Sequence, residues 1–223
     1  MGSREPVITI DGPAGAGKGT VARRLAAKLG YRLLDTGAMY RALAWSVARA
    51  GLAPDDTPAL RRHVERLQID VEGDRVVVDE RDVTDEIRSP EIASLTSKLS
   101  TLGVVRDKLT PIQQRLAATG GVVLEGRDTG TVVCPHADVK FYLDASLTER
   151  ARRRQAELRA RGIELEPEEA RRDIATRDAQ DSGRALAPLR KAGDAVEVDS
   201  TGLSVEQVVA LMAEMVEQRR RCG

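Results

Sequence analysis

The sequence predicts an α/β fold, a parallel five-stranded sheet wrapped by helices. Two observations predict it. Short β-branched runs alternate with helical apolar periodicities towards both ends of the chain, and glycines, prolines and capping boxes punctuate the alternation. A third observation modifies it: the alternation lapses over about residues 36–105, where a unit of different character is expected to be inserted.

The elements follow in order. Residues 6–11 (PVITID) are a β-branched run stopped by Gly12-Pro13 and read as a buried strand. Lys18–Leu29 sets Val21, Leu25, Ala26 and Leu29 on one helical face, and Gly30 ends it. Residues 31–34 read as a strand and residues 39–50 as a helix closed by Gly51. Residues 60–67 form a charged amphipathic helix. Ile69, Val71, Val76, Val78 and Val83 then alternate around Gly73-Asp74, as an antiparallel hairpin or three-stranded meander. Ser89-Pro90-Glu91 opens a helix with proline at its first position, and a further helix runs to Gly120-Gly121. Strands return at residues 122–125 and 139–143. Ser146-Leu147-Thr148-Glu149 is a capping box before an arginine-rich helix, residues 162–166 are a loop, and Pro167 starts the next helix. Residues 195–199 are the last strand, and a capping box at residues 204–207 opens a helix reaching Arg219-Arg220-Arg221.

Composition removes several function classes. Of the 223 residues, 41% are hydrophobic, enough for a core and too many for a disordered chain. Lys+Arg and Asp+Glu number 35 each, so no polyanionic partner is demanded and no nucleic acid is expected. An aromatic content of 2% argues against base-stacking platforms. No apolar run approaches membrane-spanning length, so no membrane partner is expected. Cys134 and Cys222 make no disulfide framework and read as free thiols in a reducing compartment, which points to the cytoplasm. His63 and His136 stand alone without metal-ligand spacing, and nothing forces an oligomer, so a monomer is expected. The chain contains no Asn, which excludes N-glycosylation and any Asn-dependent chemistry.

The strongest motif is Gly12-Pro13-Ala14-Gly15-Ala16-Gly17-Lys18-Gly19-Thr20, between an expected strand and an expected helix. Glycines let successive N–H groups surround an anion, the helix N-terminus adds partial positive charge, and Lys18 supplies a full charge for outer phosphates. The spacing is that of the P-loop. One feature departs from it: Gly19 separates Lys18 from the hydroxyl of Thr20, as in many nucleoside monophosphate kinases and unlike switch GTPases. Thr20, or a shell of water, is the candidate for holding Mg²⁺. A GTPase would also need an Asn-Lys-x-Asp base reader, which a chain without Asn lacks.

A kinase must hold a second phosphate in line with the first, and that calls for arginines. Three stretches offer them. In Asp35-Thr36-Gly37-Ala38-Met39-Tyr40-Arg41, Arg41 follows Thr36 by about one and a half helical turns. In Glu125-Gly126-Arg127-Asp128-Thr129, Arg127 suits a phosphate and Asp128 an exocyclic amino group. Arg177, Asp181 and Arg184 share one helical face by i, i+4, i+7 spacing. Read from the residues alone, the acceptor stays open: CMP, UMP, AMP, shikimate or a sugar acid, or no acceptor at all in a nucleotide-binding regulator.

The stretches ITIDGPAGAGKGT, LLDTGAMYRALA, EGRDTGTVV, FYLDAS, ERARRR, RDAQDSGRALAPL and DSTGLSVEQVV run in order along nearly the whole chain. In them the chain resembles the bacterial cytidylate kinase family. The resemblance implies a P-loop NTPase-type core, residues 1–35 and 106–223, and a monophosphate-binding insertion, residues 36–105, carrying a small antiparallel sheet. It implies that residues 12–20 hold the phosphates of ATP, with Mg²⁺. Thr36, Arg106 and Asp128 would read cytosine; Arg41, Arg127 and Arg184 would hold the phosphate of CMP or dCMP; Ser97, Arg177 and Asp181 would meet the sugar. Where the family often has Ser after the strand-end Asp, this chain has Thr36, and the hydroxyl persists. Lys18, Arg127 and Arg184 would stabilise the moving phosphoryl group. The helix–glycine–helix stretch 150–170 has the size of a short lid, with Arg153 and Arg154 as its candidate catalytic arginines; Arg150, Arg152, Arg159 and Arg161 crowd the same segment.

Overall fold

The computed structural model describes residues 4–73, 75–160 and 162–222. Asp74, Arg161 and the side chains of Glu72, Arg221 and Cys222 lie outside that description, so the sequence readings made there are not taken further.

Among the described residues the chain runs β1 (Val7–Asp11), α1 (Lys18–Leu29), β2 (Arg32–Asp35), α2 (Thr36–Arg49), α3 (Pro58–Arg66), β3 (Ile69–Glu72), β4 (Arg75–Val78) and β5 (Arg81–Asp82). It continues with α4 (Pro90–Leu99), α5 (Gly103–Ala118), β6 (Val122–Gly126), β7 (Val139–Asp144), α6 (Leu147–Arg159), α7 (Pro167–Gly183), β8 (Val196–Asp199) and α8 (Val205–Cys222). The large sheet has the order β2-β6-β1-β7-β8 and is parallel throughout. β1, fully buried, lies at its centre. The smaller sheet settles the alternative left by the sequence: it is a three-stranded antiparallel meander, β3-β4-β5.

Local chemistry explains the boundaries. α2 begins at Thr36, earlier than the apolar periodicity indicates, because the Asp35 side chain accepts a hydrogen bond from the Ala38 N–H at 2.8 Å and caps the helix. Thr57 and Ser89 cap α3 and α4 in the same way, each with proline next in line. A π-helical turn over Thr129–Val133, unforeseen in the sequence, follows β6 after Arg127 and Asp128.

Apolar residues divide over the two faces of the large sheet. One face packs Ile8, Ile10, Phe141, Leu143 and Val198 against Leu25 of α1 and Met212 and Val216 of α8. The other packs Val7, Leu34, Val122 and Leu124 against Met39 and Leu43 of α2, and continues through Leu60, Val64, Val76, Val78 and Leu109. A fully buried leucine of this kind contributes roughly 1.5–3 kcal/mol. α2 therefore joins the small sheet to the large one through shared apolar contact. No helix among the described residues is long and apolar enough to cross a membrane.

Strand register places the site. Asp11 is level with Gly126, and Asp35 with Glu125, so β1, β2 and β6 end together in acidic residues. The connections leaving β1 and β6 run in opposite directions across the sheet, to β2 and to β7, the arrangement that opens a crevice at the carboxyl ends of strands.

Candidate functional site

The phosphate loop leaves β1 at Gly12, whose φ of +152° comes with a close approach: a Cβ there would sit 2.0 Å from the Leu143 carbonyl oxygen. Only glycine fits beneath β7 at that point. Gly17 caps α1 in the left-handed region, with φ of 88°. Lys18 is buried, and its Nζ donates to the Pro13 carbonyl at 2.8 Å, so the side chain folds over its own loop. Burial, and then repulsion from Arg127, pull the Lys18 pKa far below the ordinary lysine value, against the attraction of Glu125. Gly19 and Thr20 are exposed.

The strand ends face this loop. The Glu125 carboxylate lies close above it, its Oε2 4.0 Å from where a Gly19 Cβ would be. Burial, and then the neighbouring Asp35, raise the Glu125 pKa. Asp35 divides its oxygens between the α2 cap and Arg41, at 2.9 Å. Thr36 donates its hydroxyl to the Glu125 carbonyl at 2.7 Å. Asp11 accepts from the Thr129 N–H, the Thr129 hydroxyl and the Gly130 N–H at 2.9, 2.7 and 2.7 Å. It thereby clamps the π-helical turn and fixes the backbone that presents Arg127 and Asp128.

Arg106 and Asp128 form a buried ion pair. Arg106 also donates to the Ser100 carbonyl at 3.2 Å and lies over the Tyr40 ring, 5.7 Å from its centroid. Burial raises the Asp128 pKa, opposed by Arg106 and Arg184. Arg127 bonds Asp181 at 2.6 Å, and Arg184 lies 3.7 Å from the other oxygen of Asp181. Arg184 also donates to the Ala187 carbonyl at 2.6 Å, while its Nη2 is buried with no hydrogen-bond partner. Burial, then Arg154 and Arg127, disfavour the charge of Arg177, so this arginine is held in a field that wants an anion. The Ser97 hydroxyl turns back to the Ala93 carbonyl at 3.3 Å.

Lys18, Gly19, Thr20, Thr36, Arg41, Ser97, Arg106, Arg127, Asp128, Arg153, Arg154, Arg177, Asp181 and Arg184 all line one cavity of about 1080 Å³. Gly15, Ala16 and Gly17 line it as well. Gly12, Pro13 and Ala14, assigned to phosphate from the sequence, do not. They are buried behind the loop, and the Ala14 N–H is taken by Asp178 at 3.1 Å. Arg153 reaches the cavity with its nitrogens engaged, by Glu149, by the Ala16 carbonyl at 3.1 Å, and by the Ser200 hydroxyl and carbonyl. In this state it braces the loop. Arg154 pairs with Asp173 at 3.1 Å.

For a metal, no cluster of three or more His, Cys, Asp or Glu side chains exists among the described residues. The oxygen donors present, Thr20 and Glu125, fit a hard cation that keeps waters and takes its other ligands from phosphates.

The family model described as cytidylate kinase matches residues 8–218. The chain belongs to the cytidylate kinase family. It is 50% identical to the cytidylate kinase of Geobacter sulfurreducens over 99% of this chain and 96% of that protein. To the cytidylate kinase of Carboxydothermus hydrogenoformans it is 48% identical, over 95% and 97%. A solved structure of an uncharacterized protein from Eubacterium ventriosum shares the fold at 11% identity, with a TM-score of 0.54 over 97% of this chain and 99% of that one.

Within this cytidylate kinase family member, sequence reasoning assigned no role to Asp11 and Asp178, took Asp35, Tyr40 and Glu125 only as members of motifs, and took Arg150 only as one of the arginines crowding its helix. A signal for three of them was present: the runs VITID, RLLD and VVLEG each end with an acid at or beside the last strand residue. That the three strands end side by side is a property of the sheet order.

Proposed function

We propose that the protein transfers the γ-phosphoryl group of ATP to CMP or dCMP, giving ADP and CDP or dCDP. The observation that carries this reading is a single cavity lined both by the phosphate loop and by the Arg106–Asp128 pair, with Arg41, Arg127, Arg177 and Arg184 on its walls. The names of the relatives support the same acceptor.

On this reading Arg106 and Asp128 release one another to the base. Asp128 accepts from the cytosine N4 amino group, Arg106 donates to N3 or O2, and Thr36 lies beside them. Uracil reverses both partners, and each buried mismatch costs about 1–3 kcal/mol. Arg41, Arg127 and Arg184 hold the acceptor phosphate, and Ser97, Arg177 and Asp181 the sugar. An oxygen of that phosphate, already deprotonated near neutral pH, attacks the γ-phosphorus. The bond to the β,γ-bridging oxygen breaks and ADP leaves with the electron pair. Lys18 exchanges the Pro13 carbonyl for phosphate oxygens and, with the arginines, stabilises the transferring group. Thr20 and Glu125 would hold Mg²⁺, which would neutralise phosphate charge. Residues 36–105 form the monophosphate-binding insertion on a core of residues 1–35 and 106–223. Residues 150–170 close as a lid that brings Arg153 and Arg154 towards the phosphates. The enzyme works as a cytoplasmic monomer without nucleic-acid or membrane partners.

The test is acceptor-dependent ADP release with CMP, dCMP, UMP, AMP, shikimate and gluconate. CMP and dCMP should be the best acceptors; a higher kcat/KM for any of the others overturns the assignment.

A further inference from the structure

The outer side of the phosphate loop is gripped by the two helices that follow β7. Asp178 of α7 accepts from the Ala14 N–H at 3.1 Å, while Arg150 of α6 donates to the Ala14 carbonyl at 3.2 Å. Asp178 and Arg150 are themselves an ion pair, and Arg150 is tied further to the Ala145 carbonyl at 2.9 Å. The N–H and the C=O of Ala14, which lie on successive peptide units, are thus held by one charged couple. At the neighbouring Gly15 a Cβ would stand 2.9 Å from the Arg150 carbonyl oxygen and 3.2 Å from Ile174 of α7. Loop and helices are therefore in close contact over successive residues, and a displacement of one is felt by the other.

The same helix carries the acceptor side. Arg177 and Asp181, and Arg184 just past its end, flank Asp178 within about a turn and a half, and Asp181 holds Arg127. One rigid element therefore contacts the donor loop through Asp178 and the acceptor cluster through Asp181. We infer that Asp178 and Arg150 are positioning residues that couple the two nucleotide sites, so that filling the phosphate loop sets α7 for the acceptor nucleotide. The inference deepens the kinase reading and rests on it. Neither residue touches a reacting atom; each acts through Ala14.

Coupling of this kind is reciprocal: the donor must tighten the acceptor by the factor by which the acceptor tightens the donor. The experiment is calorimetric titration of CMP, with and without a saturating non-hydrolysable ATP analogue. It uses the wild type and the Asp178→Asn, Arg150→Lys and Asp173→Asn variants, each checked by thermal melting. The wild type should gain about tenfold in CMP affinity from the analogue. In Asp178→Asn and Arg150→Lys the gain should fall to about twofold or less, while CMP affinity without analogue stays within about twofold. Arg150→Lys, which keeps the charge, carries the test if Asp178→Asn does not fold. Asp173→Asn breaks another α6–α7 ion pair, to Arg154, without touching the loop, and should keep the wild-type gain. Undiminished coupling in Asp178→Asn and Arg150→Lys, equal loss in Asp173→Asn, or no coupling in the wild type overturns the inference. A wild type that binds no CMP overturns the kinase reading instead.

Discussion

Lys18 is a buried cation whose charge the free protein barely tolerates. Burial and Arg127 lower its pKa, and it spends its hydrogen bond on Pro13. A phosphate anion reverses that balance by favouring the ammonium form, so ATP binding should take up a proton above neutral pH. The sign follows from the lowered pKa: below it Lys18 is already charged and nothing is taken up, whereas above it the neutral amine must be protonated. The KM for ATP should therefore rise with pH. Lys18→Arg should remove that rise, because a guanidinium stays charged throughout. Lys18→Ala should lower kcat by about 10²-fold or more with an unchanged melting curve; near-normal turnover would contradict the role assigned to it. On the acceptor side, Asp128→Ala should raise the KM for CMP and narrow the CMP-to-UMP preference by about tenfold, measured as the ratio of kcat/KM values. An unchanged ratio would assign base reading to another residue.

Each part of the site hangs on an element boundary. Gly12 is where β1 must turn beneath β7, and an added methyl would strike the Leu143 carbonyl. Gly12→Ala should cost on the order of 3 kcal/mol in denaturant unfolding, with the damage centred on the phosphate loop. Asp11, at the last residue of β1, holds the π-helical turn after β6 by three hydrogen bonds. Asp11→Ala leaves those buried donors unpaired and should cost about 3 kcal/mol. It should also raise the KM for CMP more than the KM for ATP, because the turn presents Arg127 and Asp128. Equal effects on both substrates would show that Asp11 serves stability alone. The sequence carried the strand and the helix on either side of Gly12 plainly. The π-helical turn was illegible, since Thr129–Val133 has no periodicity of its own and its geometry is imposed by Asp11, far away in the chain.

At the scale of the whole molecule, cationic groups from α1, α2, α5, α7 and the turn after β6 converge on one cavity, and most of them hold acidic partners. Asp35 holds Arg41, Asp128 holds Arg106, and Asp181 holds Arg127. These pairings compensate the charges of the buried Arg106–Asp128 couple and of the two partly buried ones. The sequence by itself determined the alternation of strand and helix, the phosphate loop and the three acceptor stretches, because each is written in a short run whose chemistry is local. Only the tertiary structure decided which of those residues meet. The sheet order brought Asp11, Asp35 and Glu125 together at the carboxyl ends of their strands, and the packing of α6 and α7 against the loop set Ala14 against Asp178 and Arg150. The tertiary structure also gave Arg106 to Asp128 across separate elements. Such meetings depend on strand order and helix packing, which are set by burial over the whole chain and leave no mark in any one stretch of it.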